Sequence, residues 1–489
     1  DRKDLDYQPM KEYARFAKDC ANSNRNIKVL ERQLNDPNAC IIITTIQKLD
    51  GFIKKNNKHD IYNKEVVLMF DECHRSQFGE MHKNIVKHFN KYYIYGFTGT
   101  PIFPQNLMVK SSLKTTEQLF GKQLHTYTIV DAVSDKNVWP FKFDYVRSMR
   151  KKDEIIDEKV KDIDTEEPLS DPRRITAITE HIINHFKQYT KHDVKYEYKQ
   201  LMNVAEIAKN HAAKERLEKQ TLSGYNSLFA TQSIEAAIKF YEKFRELKNE
   251  GKHDLKIAMI YSFGVNDEEQ TGLVEENNED AAGLTTTQRE MLERAIKDYN
   301  AMFKTNWDTS ADKFQSYYKD ISMRMKNRQL DILIVVNMFL TGFDAPTLNT
   351  LWVDKNLRYH GLIQAFSRTN RILNDEKQFG SIVSFRNLQE ELDDALLLFG
   401  NKDSKGIILL KPYKDYYEGY TDEKGNKHPG SKELVESLKQ NYPIGQEIFT
   451  LEKKVAFIKL FNKILKVRNI LSSFDEFEND KLLSQRELQ

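Results

Sequence analysis

Long apolar runs are missing from this chain of 489 residues. None approaches the roughly 18 residues that a membrane-spanning helix needs, and no export signal is visible. Cysteine is scarce: Cys20, Cys40 and Cys73 are odd in number and show no metal-site spacing. That argues against a disulfide framework and suits reduced thiols in a cytoplasm, the expected location. A dominant charge is missing too, since 75 basic side chains nearly cancel 73 acidic ones and leave a net +2. Bulk electrostatics therefore do not announce a nucleic-acid binder, and any basic surface must be local. There is no internal repeat, no low-complexity tract and no G-x-x-x-x-G-K-[ST] phosphate loop. The chain starts at Asp1 without Met, inside a charged stretch, and reads as a fragment.

Hydrophobic residues make up 39% and charged residues 30%, so sizeable cores fit beneath a heavily charged surface. The length sets a prior of about three domains of roughly 150 residues. Between Ala39 and Phe97 the apolar runs CIIITT, VVLMF and YYIYGF alternate with polar, helix-compatible stretches. Their continuous apolarity predicts parallel strands buried on both faces. Residues 151–170 are charged and poorly periodic, as in a linker. Asp171-Pro172 then predicts a helix start, followed at helical spacing by Ile175, Ile178, Ile182, Ile183 and Phe186.

A second α/β series is predicted at NSLFATQS (226–233), KIAMIYS (256–262), DILIVV (331–336), TLWVD (350–354) and SIVSF (381–385), with Ser233 capping a helix. The acidic stretch 266–280 is expected to be a mobile surface loop. Beyond about 390 the strand signals fade. Phe457, Phe461, Ile464, Leu465 and Leu471 mark an amphipathic helix, so the tail is expected to be helical. The boundaries expected are 1–150, 151–390 and 391–489, in the order α/β, α/β, α.

The stretch VVLMFDECHRSQFG (66–79) runs five apolar residues straight into Asp71 and Glu72. Ligands of open parallel sheets bind beyond the carboxyl ends of strands. Paired carboxylates there suit phosphate chemistry, one holding Mg²⁺ and the other orienting or deprotonating a water. Equally, they could only cap the next helix. A zinc site at Cys73-His74 is disfavoured because a second ligand pair is missing. GFTGTP (96–101) and TTIQKL (44–49) offer small residues and hydroxyls that suit phosphate contacts, or are ordinary strand ends. Downstream, Gly342 and Pro346 punctuate a loop exposing Thr341 and Asp344. Gln364, Arg368 and Arg371 fall at the spacing of one helix face, either a phosphate-binding face or a solvated basic one.

Five segments in this order, DRKDLDYQ, FDECHRSQFG, GFTGTPIF, LTGFDAP and QAFSRTNRI, resemble the motor of superfamily two helicases and translocases. More closely, they resemble the motor (R) subunit of type I restriction-modification enzymes. The resemblance implies two RecA-like domains, the first incomplete at its N-terminus, followed by a helical domain. ATP and Mg²⁺ would bind between the two motor domains. Asp71 would hold Mg²⁺, Glu72 would polarise the hydrolytic water, and Arg368 and Arg371 would reach the γ-phosphate, Arg371 as the finger. His74, Thr98, Thr100, Gly342, Asp344 and Gln364 would couple nucleotide state, while Arg2, Thr45, Gln47 and Thr341 would touch DNA. The implied partners are double-stranded DNA and the methyltransferase (M) and specificity (S) subunits, with no membrane. The family's phosphate loop and nuclease domain are expected upstream. The intact parent would therefore translocate and cleave DNA, and these residues alone would be poor in both ATPase and nuclease activity. A duplex-unwinding helicase and a non-enzymatic docking fragment are the alternatives.

Overall fold

The computed structural model of the chain describes residues 13, 21–24, 26–74, 78–106, 114–147, 171–210, 213–262, 284–400, 407–421, 425–480 and 482–483. Two compact units divide the chain, Asp1–Thr128 and Ile129–Gln489. The expected linker at 151–170 and the acidic stretch at 266–280 lie outside the described residues.

The first unit carries β1 (Ala21–Ser23), α1 (Ile27–Asn35), β2 (Ile41–Ile43), α2 (Ile46–Lys55), β3 (Glu65–Asp71), α3 (Phe78–His88), β4 (Lys91–Phe97) and α4 (Thr116–Phe120). β1 pairs with β2 and β3 with β4, both in parallel. Leu30, Ile46, Phe52, Ile53, Tyr62, Ile85 and Phe89 form its core, with Val66, Leu68 and Phe70 packed against them. The expectation of strands buried on both faces fails here. β3 and β4 alternate, and Val67, Met69, Tyr93, Tyr95 and Phe97 stand exposed, Met69 by 64%. Side chains on a strand take opposite faces in turn. Only one face of this pair is covered among the described residues.

The second unit continues with α5 (Ile129–Ser134), β5 (Phe141–Tyr145), α6 (Pro172–Tyr189), β6 (Lys195–Leu201), α7 (Val204–Lys209), β7 (Leu217–Ser223), β8 (Asn226–Thr231), α8 (Ile234–Asn249) and β9 (Ile257–Ile260). Then follow α9 (Thr286–Phe303), α10 (Ala311–Lys326), β10 (Ile332–Val335), β11 (Leu348–Asp354), α11 (Tyr359–Phe366), β12 (Gly380–Ser384) and α12 (Gln389–Phe399). The tail contributes α13 (Tyr413–Glu418), β13 (Gly419–Thr421), β14 (Lys427–Pro429), α14 (Ser431–Asn441) and α15 (Leu451–Leu471). A six-stranded sheet runs in the order β5-β12-β11-β8-β10-β9, and every pair in it is parallel. The fold is thus parallel-sheet α/β with a largely helical tail.

β8 to β12 are buried along their whole length, so continuous apolarity here does mean helices on both faces. The two helix starts stand where the sequence places them. Asp171 accepts from the Arg173 amide ahead of Pro172, and Ser233 accepts from the Ala236 amide. Ile175, Ile178, Ile182 and Phe186 form the buried stripe of α6, with Ile183 at its half-exposed margin.

The domain boundary differs from the one expected at residue 150. β5 pairs with β12 from Phe141 opposite Gly380 to Tyr145 opposite Ser384, which places residues 129–147 in the second unit. Backbone pairing decides this, because an unpaired buried strand edge would leave amides without acceptors. Residues 391–489 likewise belong to the same compact unit as the second sheet.

A buried ionic triad closes the carboxyl end of this sheet. Arg174, on α6, donates to both oxygens of Asp354 at 3.0 and 2.6 Å, and Arg386 Nε donates to Oδ1 at 2.5 Å. Burial by itself would raise the Asp354 carboxyl, but the hydrogen bonds and charges of Arg174 and Arg386 outweigh it and hold the acid below its ordinary range. Removing the carboxylate strands two guanidinium groups. Asp354→Ala is therefore expected to cost about 3–5 kcal/mol. Trp139, Trp307 and Trp352 all lie in the second unit. Denaturant titration followed by tryptophan fluorescence reads that unit, and an unmoved midpoint would dismiss the triad as a brace.

Candidate functional site

At the end of β3 the chain turns sharply. Asp71 is the last residue of the strand, and its Oδ1 accepts the Glu72 amide at 2.9 Å. Glu72 takes φ +50°, a left-handed conformation that is uncommon outside glycine. Strain of this kind persists where surroundings enforce it, and it clusters at working sites. The enforcing contact is the next amide: Cys73 N–H donates to Phe97 O at 3.1 Å, carrying the β3–β4 ladder two residues past the strand. Gly96 makes room for this, because a Cβ there would come within 2.8 Å of Cys73 Sγ and of the Phe120 ring.

His74 follows, buried, with Nδ1 2.7 Å from Thr98 Oγ1 and 3.5 Å from Glu72 Oε2. Thr98 Oγ1 also accepts the Thr100 amide at 3.0 Å, which leaves its own proton available to His74 Nδ1. One hydroxyl thus joins the acid turn to the turn after β4. Among the described residues the Asp71 carboxylate meets only the Glu72 amide, and that of Glu72 meets only His74. Helix capping therefore leaves the pair unexplained, while exposed Asp71 keeps an oxygen for a hydrated cation.

No group of three or more His, Cys, Asp or Glu residues gathers as a metal cluster among the described residues. The exposed Asp71 carboxylate is a donor of the kind that suits Mg²⁺, which keeps waters and phosphate oxygens and takes one or two carboxylates. Zinc fits poorly: burial, aided by the Glu72 and Asp71 charges, pushes the Cys73 thiol up to about 12.

The expected nucleic-acid contacts fare unevenly. Arg2 lies outside the described residues. Thr45 is buried and caps α2 by accepting the Lys48 amide at 3.3 Å, and Gln47 is half-buried in the first turn of that helix.

In the second unit the arginine segment departs from the expected stripe. α11 ends at Phe366, so Gln364 is helical while Arg368 and Arg371 lie beyond it. Ser367, Thr369 and Asn370 explain the stop, since such side chains compete for backbone groups; Thr369 Oγ1 donates to Phe366 O at 2.8 Å. Arg368 folds back, buried, and donates to Gln364 O at 3.0 Å and Phe343 O at 2.7 Å. Arg371 stays 44% exposed with Nε 3.2 Å from Asp344 Oδ1, where the approach is too oblique for a hydrogen bond. A loose, half-exposed pair of this kind is worth about 0–1 kcal/mol.

Thr341 is buried, and Gly342 turns the chain at φ +66° ahead of Asp344. One residue escaped the sequence reading. Lys377, in the polar run NDEKQ, is buried and donates to Pro346 O at 2.8 Å and Leu348 O at 2.7 Å. Burial first, then Arg371, lowers its ammonium well below the ordinary lysine value, with Asp344 opposing. Nothing in a charged loop sequence marks such a lysine. Both segments lead into the amino ends of their strands, β11 and β12, so the carboxyl-end rule serves the acids alone.

Comparison with known proteins bears on the family of the chain. The family described as SWI2/SNF2 ATPase matches residues 1–173, Type I restriction enzyme subunit R domain 3 matches 223–387, and the subunit R C-terminal family matches 408–489. The SauCOLORF180P endonuclease subunit of a type I restriction enzyme from Staphylococcus aureus (strain COL) is 38% identical over 484 residues, 98% of this chain and 47% of that protein. The chain belongs to the R-subunit family of type I restriction enzymes.

The corresponding SsaAORF53P subunit from Staphylococcus saprophyticus is 37% identical over 487 residues, again 98% of this chain and 47% of its own length. This R-subunit chain spans about half the length of the curated relatives it matches. A solved fragment described as an HsdR subunit from Vibrio vulnificus YJ016 covers 85% of this chain and 57% of its own, at 14% identity and TM-score 0.43.

The geometry of the acid turn makes a chemical prediction. A thiol reagent at pH 8 should label exposed Cys40 readily and spare Cys73 until the protein is denatured. Mass spectrometry of the labelled peptides reads this, and fast native labelling of Cys73 would mean that the turn is not closed against Gly96.

Proposed function

We propose that this R-subunit chain supplies the greater part of an ATP-driven translocase on double-stranded DNA. The observation that carries it is the strained turn joining Asp71, Glu72, His74 and Thr98, in a chain that also keeps Arg371 in an easily broken pair. ATP with Mg²⁺ is the nucleotide substrate, Mg²⁺ supplying charge neutralisation on the phosphates. Asp71 holds that ion through its free oxygen. Glu72 orients and deprotonates the attacking water, and its carboxylate passes news of phosphate loss to His74 and thence to Thr98 and Thr100.

Arg371 leaves Asp344 for the γ-phosphate and neutralises charge developing in phosphoryl transfer. Arg368 is the positioning residue that clamps Phe343, and with it the loop of Gly342 and Asp344, to Gln364. Contact with the DNA backbone is assigned to Thr341, Gln47, Arg2 and the α2 turn capped by Thr45. The intact parent also cleaves DNA and works with M and S subunits in the cytoplasm. The exposed apolar residues Leu451, Val455, Ile458 and Leu465 on one helix suit contact with such partners. No helix among the described residues is long and apolar enough to cross a membrane. These 489 residues contain no phosphate loop, so by themselves they should hydrolyse ATP slowly.

In the intact protein, Glu72→Gln should bind ATP normally while turnover drops about 10²–10⁴-fold. Arg371→Ala should lower turnover about 10³-fold or more with little change in nucleotide affinity. Steady-state hydrolysis and nucleotide titration separate the two effects, and normal turnover in either variant would cancel the assigned role. DNA affinity should fall linearly with salt on a log–log plot, with a slope of about −0.9 per phosphate neutralised. A salt-insensitive complex would count against tracking of the phosphate backbone.

A further inference from the structure

The last turn of α15 is held against the rest of the second unit through lysines and one asparagine. Lys191, just past α6, donates to Asn469 O, to Asn469 Oδ1 at 2.8 Å and to Ser472 Oγ at 3.2 Å. Lys142 of β5 donates to Ser473 O at 2.7 Å. Cations at a helix C-terminus meet carbonyls that have no partner within the helix, so the two lysines brace the tail electrostatically as well as sterically.

Asn469 does something different. While its side-chain oxygen accepts from Lys191, its Nδ2 donates to Glu376 O at 2.6 Å. Glu376 immediately precedes Lys377, whose ammonium holds Pro346 O and Leu348 O at the root of the Asp344 loop. The segment is pinned on its other flank, where Asn374 Oδ1 accepts the Lys377 amide at 2.9 Å and the Tyr225 hydroxyl at 3.0 Å. Hydrogen bonds on either side of the Glu376–Lys377 peptide therefore connect the end of the tail helix to the loop carrying Asp344.

We propose that Asn469 is a positioning residue that lets the docked state of the helical tail set the geometry of the Asp344–Arg371 pair. A tail seated on Lys191 and Lys142 holds Glu376, Glu376 fixes the start of Lys377, and Lys377 fixes the loop. When α15 moves away, the Glu376 carbonyl is released and the pair loosens. This rests on the reading of Arg371 as the phosphate-facing arginine. Burial, with Lys142 and Arg468 nearby, brings the Lys191 ammonium down to about 7 against the opposing pull of Glu376.

Asn469→Asp separates seating from positioning, because it keeps an acceptor for Lys191 and loses the donor to Glu376. In the full-length protein it should leave nucleotide affinity unchanged and lower DNA-stimulated turnover by between about 2-fold and 30-fold. In an Arg371→Ala background the same change should have no further effect, whereas a merely structural role would add its own loss. Amide hydrogen exchange in Asn469→Asp should rise over residues 341–346 and 374–379 and stay unchanged in β8.

Should Asn469→Asp melt the tail, Lys191→Gln tests the joint from the other side and should raise exchange in the same two segments. Unchanged turnover and exchange in a folded Asn469→Asp protein would overturn the proposal. If Arg371→Ala itself retained turnover, the fault would lie in the reading of the arginine.

Discussion

A buried ammonium must find oxygens, and that requirement organises the second unit. Lys377, Lys191 and Lys142 are each buried, and each takes at least one backbone carbonyl from a distant segment, Lys142 alongside its ion pair with Asp144. An isolated charge in a low-dielectric interior is so costly that such lysines cannot leave their carbonyl ligands without local rearrangement. The loops that they hold consequently move together or stay together. Lys377 ties the segment entering β12 to the segment entering β11. Lys191 and Lys142 tie the tail helix to β5 and the end of α6. Packing supplies the bulk of the stability, and these three groups decide which surfaces share one fate.

The acid turn is built on another constraint, backbone geometry. Cys73 continues the ladder with Phe97, so the residue before it has to absorb the turn, and Glu72 does so at positive φ. A glycine would sit there without strain. Glutamate at such a position is consistent with the chemistry proposed for its carboxylate. Cys73 completes the same logic from inside, its thiol held neutral against Gly96 where it closes the turn.

Much of this was legible in the sequence, and the illegible parts share a cause. All eight apolar runs read as strands are strands; the five in the second unit are buried along their length, as uninterrupted apolarity implies, whereas β3 and β4 leave one face exposed. β5, with the polar composition of FKFDY, escaped because its pairing with β12 joins residues more than two hundred positions apart. β6 and β7, KYEYKQL and LEKQTLS, are polar enough to pass for loops. The acid motif kept its expected place at a strand end. The arginine stripe failed because spacing alone assumes a helix that continues, and Ser367, Thr369 and Asn370 were the local signal that it does not. Lys377 could not have been found, since burial of a loop lysine follows from tertiary packing alone.

Arg368 and Arg371 show why spacing and role are separate questions. Both are guanidinium groups of one motif, yet Arg368 is buried on two carbonyls and Arg371 stands at the surface beside an ill-aligned carboxylate. Withdrawing Arg368 would strand buried acceptors at about 1–3 kcal/mol each. Releasing Arg371 costs no more than a weak surface pair, which a phosphate can outbid through bidentate, charge-assisted bonds. Two arginines of identical chemistry are thereby sorted by burial into one that holds the loop and one that is free to leave it.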